Sequence, residues 1–181
     1  MEVDLTMHIR QVTVDDIPAY VTLRREMLRD SPWSFAASED ADIGCNPEKL
    51  RARLQEPAQA LFGAFDADCE QAAQPGAPLI GAGGLVGIHH AKMAHRAIIW
   101  GVYVSPKSRG RGVGEAIIHT LVAAARTWPG VDSVALSVSE RSNAAQRLYE
   151  RCGFVAWGRE PRVLKLDGVA YDEIHMIRML D

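Results

Sequence analysis

Several things are missing from this sequence, and each absence excludes a class. There are three cysteines, Cys45, Cys69 and Cys152, odd in number and far apart. That gives neither a disulfide framework nor the paired spacing of a zinc site, and it fits a reducing compartment. No apolar run approaches the roughly 20 residues that span a bilayer. Met1 to Thr6 carries neither the basic nor the apolar region of a secretory signal. A cytoplasmic protein with no membrane partner is therefore expected. An excess of positive charge is also lacking. Lys and Arg number 20 against 23 Asp and Glu, a net charge of −3. The basic residues gather at 107–111 instead of covering a face, which argues against a nucleic-acid partner. No internal repeat, low-complexity tract or linker breaks the 181 residues, so a single domain over 1–181 is expected.

What is present alternates between strand and helix patterns. Met7 to Val12 is a short strand candidate. Asp15-Asp16 with Pro18 opens a helix, since acidic residues suit the N-terminal dipole and proline the first turn; its apolar stripe runs to about Asp30. Asn46-Pro47-Glu48 caps a second helix reaching about Gln55. Ala58 to Phe65 is a strand, followed by a polar connection from Asp66 to Ala77. Leu79 to His89 is a strand weakened or bulged by Gly81, Gly83, Gly84 and Gly87. A turn near His90 to Met93 leads into a strand from His95 to Val104. A helix from 112 to about Trp128 stops at Pro129-Gly130. Val131 to Val138 alternates as a strand, and Ser142 or Asn143 caps a helix ended by Gly153. Phe154 to Gly158 is a strand interrupted at Pro161, and Asp167-Gly168 turns a final hairpin. The order is β-α-α-β-β-β-α-β-α-β-β, a mixed α/β sheet with helices on its faces.

The chain is organised around Ile98 to Glu115. Ser105-Pro106 ends the strand, and Arg109-Gly-Arg-Gly-Val-Gly114 opens the helix. Free backbone N–H groups, the helix dipole and Lys107, Arg109 and Arg111 converge there on an anion site, most naturally for phosphate. A P-loop needs Gly-Lys-Ser/Thr, but Gly114 is followed by Glu115. A dinucleotide fingerprint needs Gly-x-Gly-x-x-Gly and an acidic residue after the next strand; the spacing here is Gly-x-Gly-x-Gly, with Glu140 near the acidic place. That reading stays open as an alternative.

Arg109-Gly-Arg-Gly-Val-Gly114 also resembles the Arg/Gln-x-x-Gly-x-Gly/Ala pyrophosphate loop of the GNAT superfamily, the GCN5-related N-acetyltransferases. Asn143-Ala-Ala-Gln-Arg-Leu-Tyr-Glu-Arg-Cys-Gly-Phe154 resembles a second segment of that family. The likeness covers roughly residues 98 to 158. It implies a mostly antiparallel sheet of about seven strands, with helices on both faces and a splay between strands 4 and 5. It further implies an enzyme that moves the acetyl group from acetyl-CoA, as cosubstrate and without a metal, to a primary amine by direct attack in a ternary complex. The acceptor expected is a small molecule or amino acid, and a homodimer is compatible.

By that resemblance the backbone of Val102, Tyr103 and Val104 pairs with the cofactor's pantetheine amides. Arg109, Gly110, Arg111, Gly112, Val113 and Gly114 hold its pyrophosphate, and Asn143 bonds its arm. Tyr149 protonates the departing thiolate as general acid. From His95 to Val104 no acidic residue stands where many relatives place a glutamate. Glu140, at the next strand's end, is the remaining carboxylate for proton removal. His89, His90 and His95 are alternatives for that role, set against a simple solvated turn. Trp33, Phe35, Trp100 and Tyr171 are candidate acceptor-pocket walls, and Asp172 and Glu173 are carboxylates able to attract a cationic acceptor. The absent strand carboxylate also leaves open a non-catalytic acyl-CoA-binding or regulatory module.

Overall fold

The computed structural model describes residues 7–66, 69–72, 74 and 76–180. The expectation made for Met1 to Thr6, and part of the one for the 66–77 connection, lie outside the described residues. The elements are β1 (His8–Gln11), α1 (Ile17–Asp30), α2 (Pro47–Arg53), β2 (Gln59–Phe65), α3 (Cys69–Ala72), β3 (Leu79–Gly87), β4 (Arg96–Val104), α4 (Val113–Arg126), β5 (Ser133–Ser139), α5 (Asn143–Arg151), β6 (Val155–Leu166) and β7 (Val169–Met179). This is the expected order with one addition, the single-turn α3, which carries no apolar period by which to see it.

Local chemistry sets the boundaries. The Asn46 side chain accepts the N–H groups of Glu48 and Lys49, both at 3.0 Å, with Pro47 at the first helical position of α2. Asp167 (φ 48°) and Gly168 (φ 81°) take the paired left-handed conformations of a two-residue hairpin turn, joining Leu166 to Val169. The expected interruption at Pro161 takes a specific form. Pro161 does not end its strand, because it lies in a bulge where β6 slips register between Glu160 and Leu164 against β7. Arg162 takes φ 58° there and donates its N–H to an Asp172 oxygen at 2.9 Å, so the proline breaks the ladder locally while the strand continues.

The seven strands form one sheet in the order β1-β2-β3-β4-β5-β7-β6. Every neighbouring pair is antiparallel except β4 and β5, which are parallel. On one face α4 buries Val113, Ile117, Ile118, Leu121, Val122 and Ala125 against Leu85, Ile99, Val134, Leu136 and Met176, and α5 adds Tyr149 and Cys152 to the same core. On the other face Tyr20, Leu23 and Met27 of α1 and Leu50 of α2 pack on Leu61, Ala82 and Tyr103. Each fully buried Leu, Ile, Val or Met among them stabilises the fold by about 1.5–3 kcal/mol. A buried ion pair ties the α1–α2 connection beneath this second face: Arg24 Nε and Nη2 donate to Asp42 at 3.0 and 2.7 Å.

Candidate active site

β4 and β5 pair only at Arg96–Ser133, Ala97–Val134 and Ile98–Ala135. Beyond Ile98, β4 pairs with β3 alone and β5 with β7 alone. The sheet therefore opens in its middle, and one edge of β4 from Ile99 to Val104 faces a slot instead of a strand. Backbone groups left there need a partner, and a ligand bearing peptide-like amides supplies one.

A bulge shapes this edge. Ala82 pairs with Tyr103 but Gly84 pairs with Trp100, so β4 carries an extra residue, and Gly101 takes φ 61°. The extra residue re-phases the side chains. Ala97 and Ile99 join the α4 core, Trp100 and Tyr103 the α1 side, and Val102 and Val104 the α4 side again.

At the wide end of the slot the chain turns through Pro106–Ser108 and two left-handed glycines, Gly110 (φ 78°) and Gly112 (φ 77°), into α4. Gly112 is the residue before the helix and has no side chain to cap it. No acceptor among the described residues takes a hydrogen bond from the backbone N–H groups of Gly110 to Glu115. They and the helix dipole concentrate positive potential at this turn. The first turn of α4 packs on the middle of α5, since a Cβ on Gly114 would stand 3.0 Å from Leu148 Cδ2. Asn143, the first residue of α5, is exposed, and its N-cap is Ser142.

The two arginines of the turn are held by carboxylates. Arg109 pairs with Asp30 at the end of α1, donates through Nε to the Val104 carbonyl at 3.0 Å and lies over the Tyr103 ring. Arg111 Nη2 donates to Asp66 at 2.6 Å. Burial alone would raise the Asp30 carboxyl, but bonds from Arg109 and Ser31 hold it below its ordinary range. Arg111 does the same to Asp66. With both cations partly neutralised, the backbone is the main donor to an anion here.

Tyr149 is buried in α5, edge-on to Phe154 at 6.2 Å between ring centres. Its hydroxyl bonds no described residue. Nor is it one of the sealed, unpartnered polar atoms, which are Tyr20 Oη, Arg96 Nε, Trp100 Nε1 and Arg111 Nε. It therefore reaches open space. Burial, and secondarily Cys152, pushes its pKa up, so it carries its proton throughout the ordinary pH range. Glu140 sits just past β5, where it accepts from Arg159 Nη2 at 2.5 Å and from the Asp172 N–H at 3.1 Å. Asp172 accepts from Arg159 Nε at 2.7 Å, so neither acid is a free charge.

The expected aromatic walls separate into two groups. Trp33 and Tyr171 meet around Arg141, whose guanidinium carbon lies 4.9 and 5.6 Å from their ring centres. Phe35 and Trp100 belong to the α1–α2 side, beneath Arg24 and Arg53. The turn carrying Trp33, Pro32–Ser34, leaves α1 and contacts β5 and β6, crossing the slot. Ser34 Oγ and Ser142 Oγ fasten it at 3.0 Å. Sequence reasoning missed Arg141, and its only signal was a cation two residues past a strand end. His89, His90 and His95 are exposed at the opposite, closed end of β4, about 30 Å along the strand from the glycine turn. Among the described residues no His, Cys, Asp and Glu group could hold a metal, and no helix is long and apolar enough to cross a membrane.

Comparison with known proteins agrees with this architecture. A mycothiol acetyltransferase of Salinispora arenicola is 37% identical over 157 residues, covering 78% of this chain and 47% of the relative. The chain spans less than half the length of the curated relatives it matches. Among solved structures, a GNAT-family acetyltransferase from Streptococcus pneumoniae superposes with a TM-score of 0.80 at 17% identity, covering 97% of this chain and 99% of that one. A putative acetyltransferase from Salmonella typhimurium, solved with its cofactor acetyl-CoA, gives 0.78 at 19% identity, covering 97% and 94%. These likenesses bear on the fold. The family model "Acetyltransferase (GNAT) family" matches residues 22–154, which contain the opened strands, the glycine turn and α5, and the chain belongs to that family.

Proposed function

We propose that this chain, as one domain over 1–181, is an acetyl-CoA-dependent N-acetyltransferase acting on a primary amine of a small molecule or amino acid. The observation that carries the reading is the end of β4–β5 pairing at Ile98–Ala135 beside the unbonded N–H groups of Gly110 to Glu115. A ligand with amides along its length and a pyrophosphate at one end matches both features. The residues present fit such a ligand. A Cβ built on Gly110 or Gly112 meets nothing within 4 Å, so the turn is open where a side chain would stand.

In this reading the β4 edge at Val102, Tyr103 and Val104 binds the pantetheine amides. Gly110 to Gly114 bind the pyrophosphate through backbone N–H, with Arg109 and Arg111 adding positive potential at the rim. Asn143 bonds the arm where the sheet opens. Bound acetyl-CoA supplies a thioester acyl group for direct attack by the amine, with no covalent enzyme intermediate. A backbone N–H near Val102 polarises the acyl carbonyl. Tyr149, held protonated by burial, donates its proton to the departing sulfur. Glu140 is the proposed proton acceptor, working through water. Its two oxygens offer about four lone-pair sites, of which Arg159 and Asp172 take two.

The test is release of free thiol from acetyl-CoA across a panel of primary amines. Amine-dependent thiol release supports the reading, whereas hydrolysis at the same rate with every amine or none contradicts it. A second reading is favoured by one observation, the lack of any carboxylate from Arg96 to Val104. It is an acyl-CoA-binding module without turnover, and binding without amine-dependent release would establish it.

A further inference from the structure

We propose that the acceptor amine carries a carboxylate and that Arg141 is the residue that reads it. This rests on the acetyltransferase reading above and narrows its substrate class. Arg141 follows β5 by two residues and precedes α5 by two, on the wall of the slot opposite β4. Its guanidinium contacts both the Trp33 and Tyr171 rings, at 4.9 and 5.6 Å from their centres. Cation–π contact of this kind leaves the N–H donors of an exposed guanidinium available. The sole side-chain acceptor it meets among the described residues is the Tyr171 hydroxyl, at 3.5 Å from Nη1, the outer limit of a hydrogen bond. No carboxylate forms an ion pair with it, although Glu140 is its chain neighbour and Asp172 lies next to Tyr171. Both of those acids are bound by Arg159 instead.

Of the two acids on the last strand, Asp172 is therefore bound by a cation of the protein itself. Asp172 is engaged by Arg159 and by the Arg162 N–H, whereas Arg141 keeps unused donors beside Trp33 and Tyr171. A planar fork with parallel donors matches a carboxylate in bidentate geometry, which a neutral amide or alcohol does not. The clamp is also anchored. Trp33 rides on the Pro32–Ser34 turn that crosses the slot, and Ser34 is bonded to Ser142, the residue after Arg141. An acceptor reaching from the acyl site to this clamp has an amine at one end and a carboxylate at the other, as an amino acid does.

The experiment compares amino acids with their own carboxamides, so that the amine is kept and only the charge removed. Acetyl-CoA binding is measured in parallel by calorimetry on wild type, Arg141→Met and Arg141→Lys. Methionine keeps a flexible stem beside the rings while removing the fork. Wild type is expected to favour the carboxylate by at least about tenfold in kcat/KM. Arg141→Met should raise KM for carboxylates about ten- to a hundredfold and change carboxamides less than about threefold, with acetyl-CoA affinity intact. Arg141→Lys should recover part of the preference. Equal use of both acceptors, or a preference for the carboxamide, in wild type overturns the proposal even where Arg141→Met does not fold. So does an equal loss on both acceptors in Arg141→Met, which would mark Arg141 as structural. If acetyl-CoA binds and only uncharged or cationic amines are acetylated, this inference fails alone; if acetyl-CoA does not bind, the underlying reading fails with it.

Discussion

Gly112→Asp separates ligand binding from folding because the structure supplies its own control. Gly112 has φ 77° and Gly130 has φ 76°, and a Cβ on either meets nothing within 4 Å. The two positions flank opposite ends of α4, a helix of 14 residues, about 21 Å long. Aspartate at either site incurs the same left-handed strain, about 1–2 kcal/mol for an L-residue and less for Asp. For a chain of this length that corresponds to a drop in Tm of about 2–8 °C. Only at 112 does the new side chain stand within the turn that carries the free N–H groups. Excluding a phosphate from two of them forfeits about 3–6 kcal/mol, taking about 1.5–3 for each bond to a charged group. Affinity for acetyl-CoA should then fall by about two to four orders of magnitude, and charge repulsion adds to the loss. Calorimetry with acetyl-CoA and thermal melts of both variants measure the two effects. Matching melts with binding lost only in Gly112→Asp is the expected result. Equal affinity in the two variants would refute the placement of the pyrophosphate.

Tyr149→Phe should reduce kcat by about 10²–10⁴ with acetyl-CoA affinity unchanged, and wild-type turnover would remove its acid role. Because burial raises the Tyr149 pKa, its proton is retained well above pH 10, and any alkaline limb of the rate profile below that pH must belong to another group. Arg24→Met leaves the Asp42 carboxylate buried without its cation and should destabilise the fold by about 3–5 kcal/mol in urea denaturation. Burial works to raise the Asp42 carboxyl, but Arg24 and the Gly44 N–H outweigh it, so its folded pKa lies below the unfolded one. The stability it contributes is present above about pH 4 and is lost as pH falls further, and Asp42→Asn should flatten that acid-side decline. Gly84→Ala places a Cβ 2.1 Å from Trp100 Cε2 and should cost about 1–3 kcal/mol or more by overpacking, read as a lowered Tm.

Most of the fold was legible because its signals are local. The Asn46-Pro47 cap, the Asp167-Gly168 turn, the apolar period of α4 and the glycine turn each act within a few residues, and each element stands where its pattern places it. What the sequence hid is pairwise and long-range. Nothing local shows that Arg109 reaches Asp30, that Arg111 reaches Asp66, or that Arg159 gathers Glu140 and Asp172. Those partners decide which charges remain available to a ligand. Pro161 marks the interruption of its strand, but only the register against β7 shows that the break is a bulge and not an end. The slot was reached through family likeness alone, because the parting of β4 from β5 depends on register between strands that α4 separates in sequence.

The central claim is that the opened β4–β5 slot and the glycine turn together bind acetyl-CoA. Isothermal titration of the wild-type chain with acetyl-CoA at physiological salt tests it most directly. Saturable binding at one site per chain is expected, abolished by Gly112→Asp and retained by Gly130→Asp. Absence of binding, or preferential binding of NAD over acetyl-CoA, would contradict it.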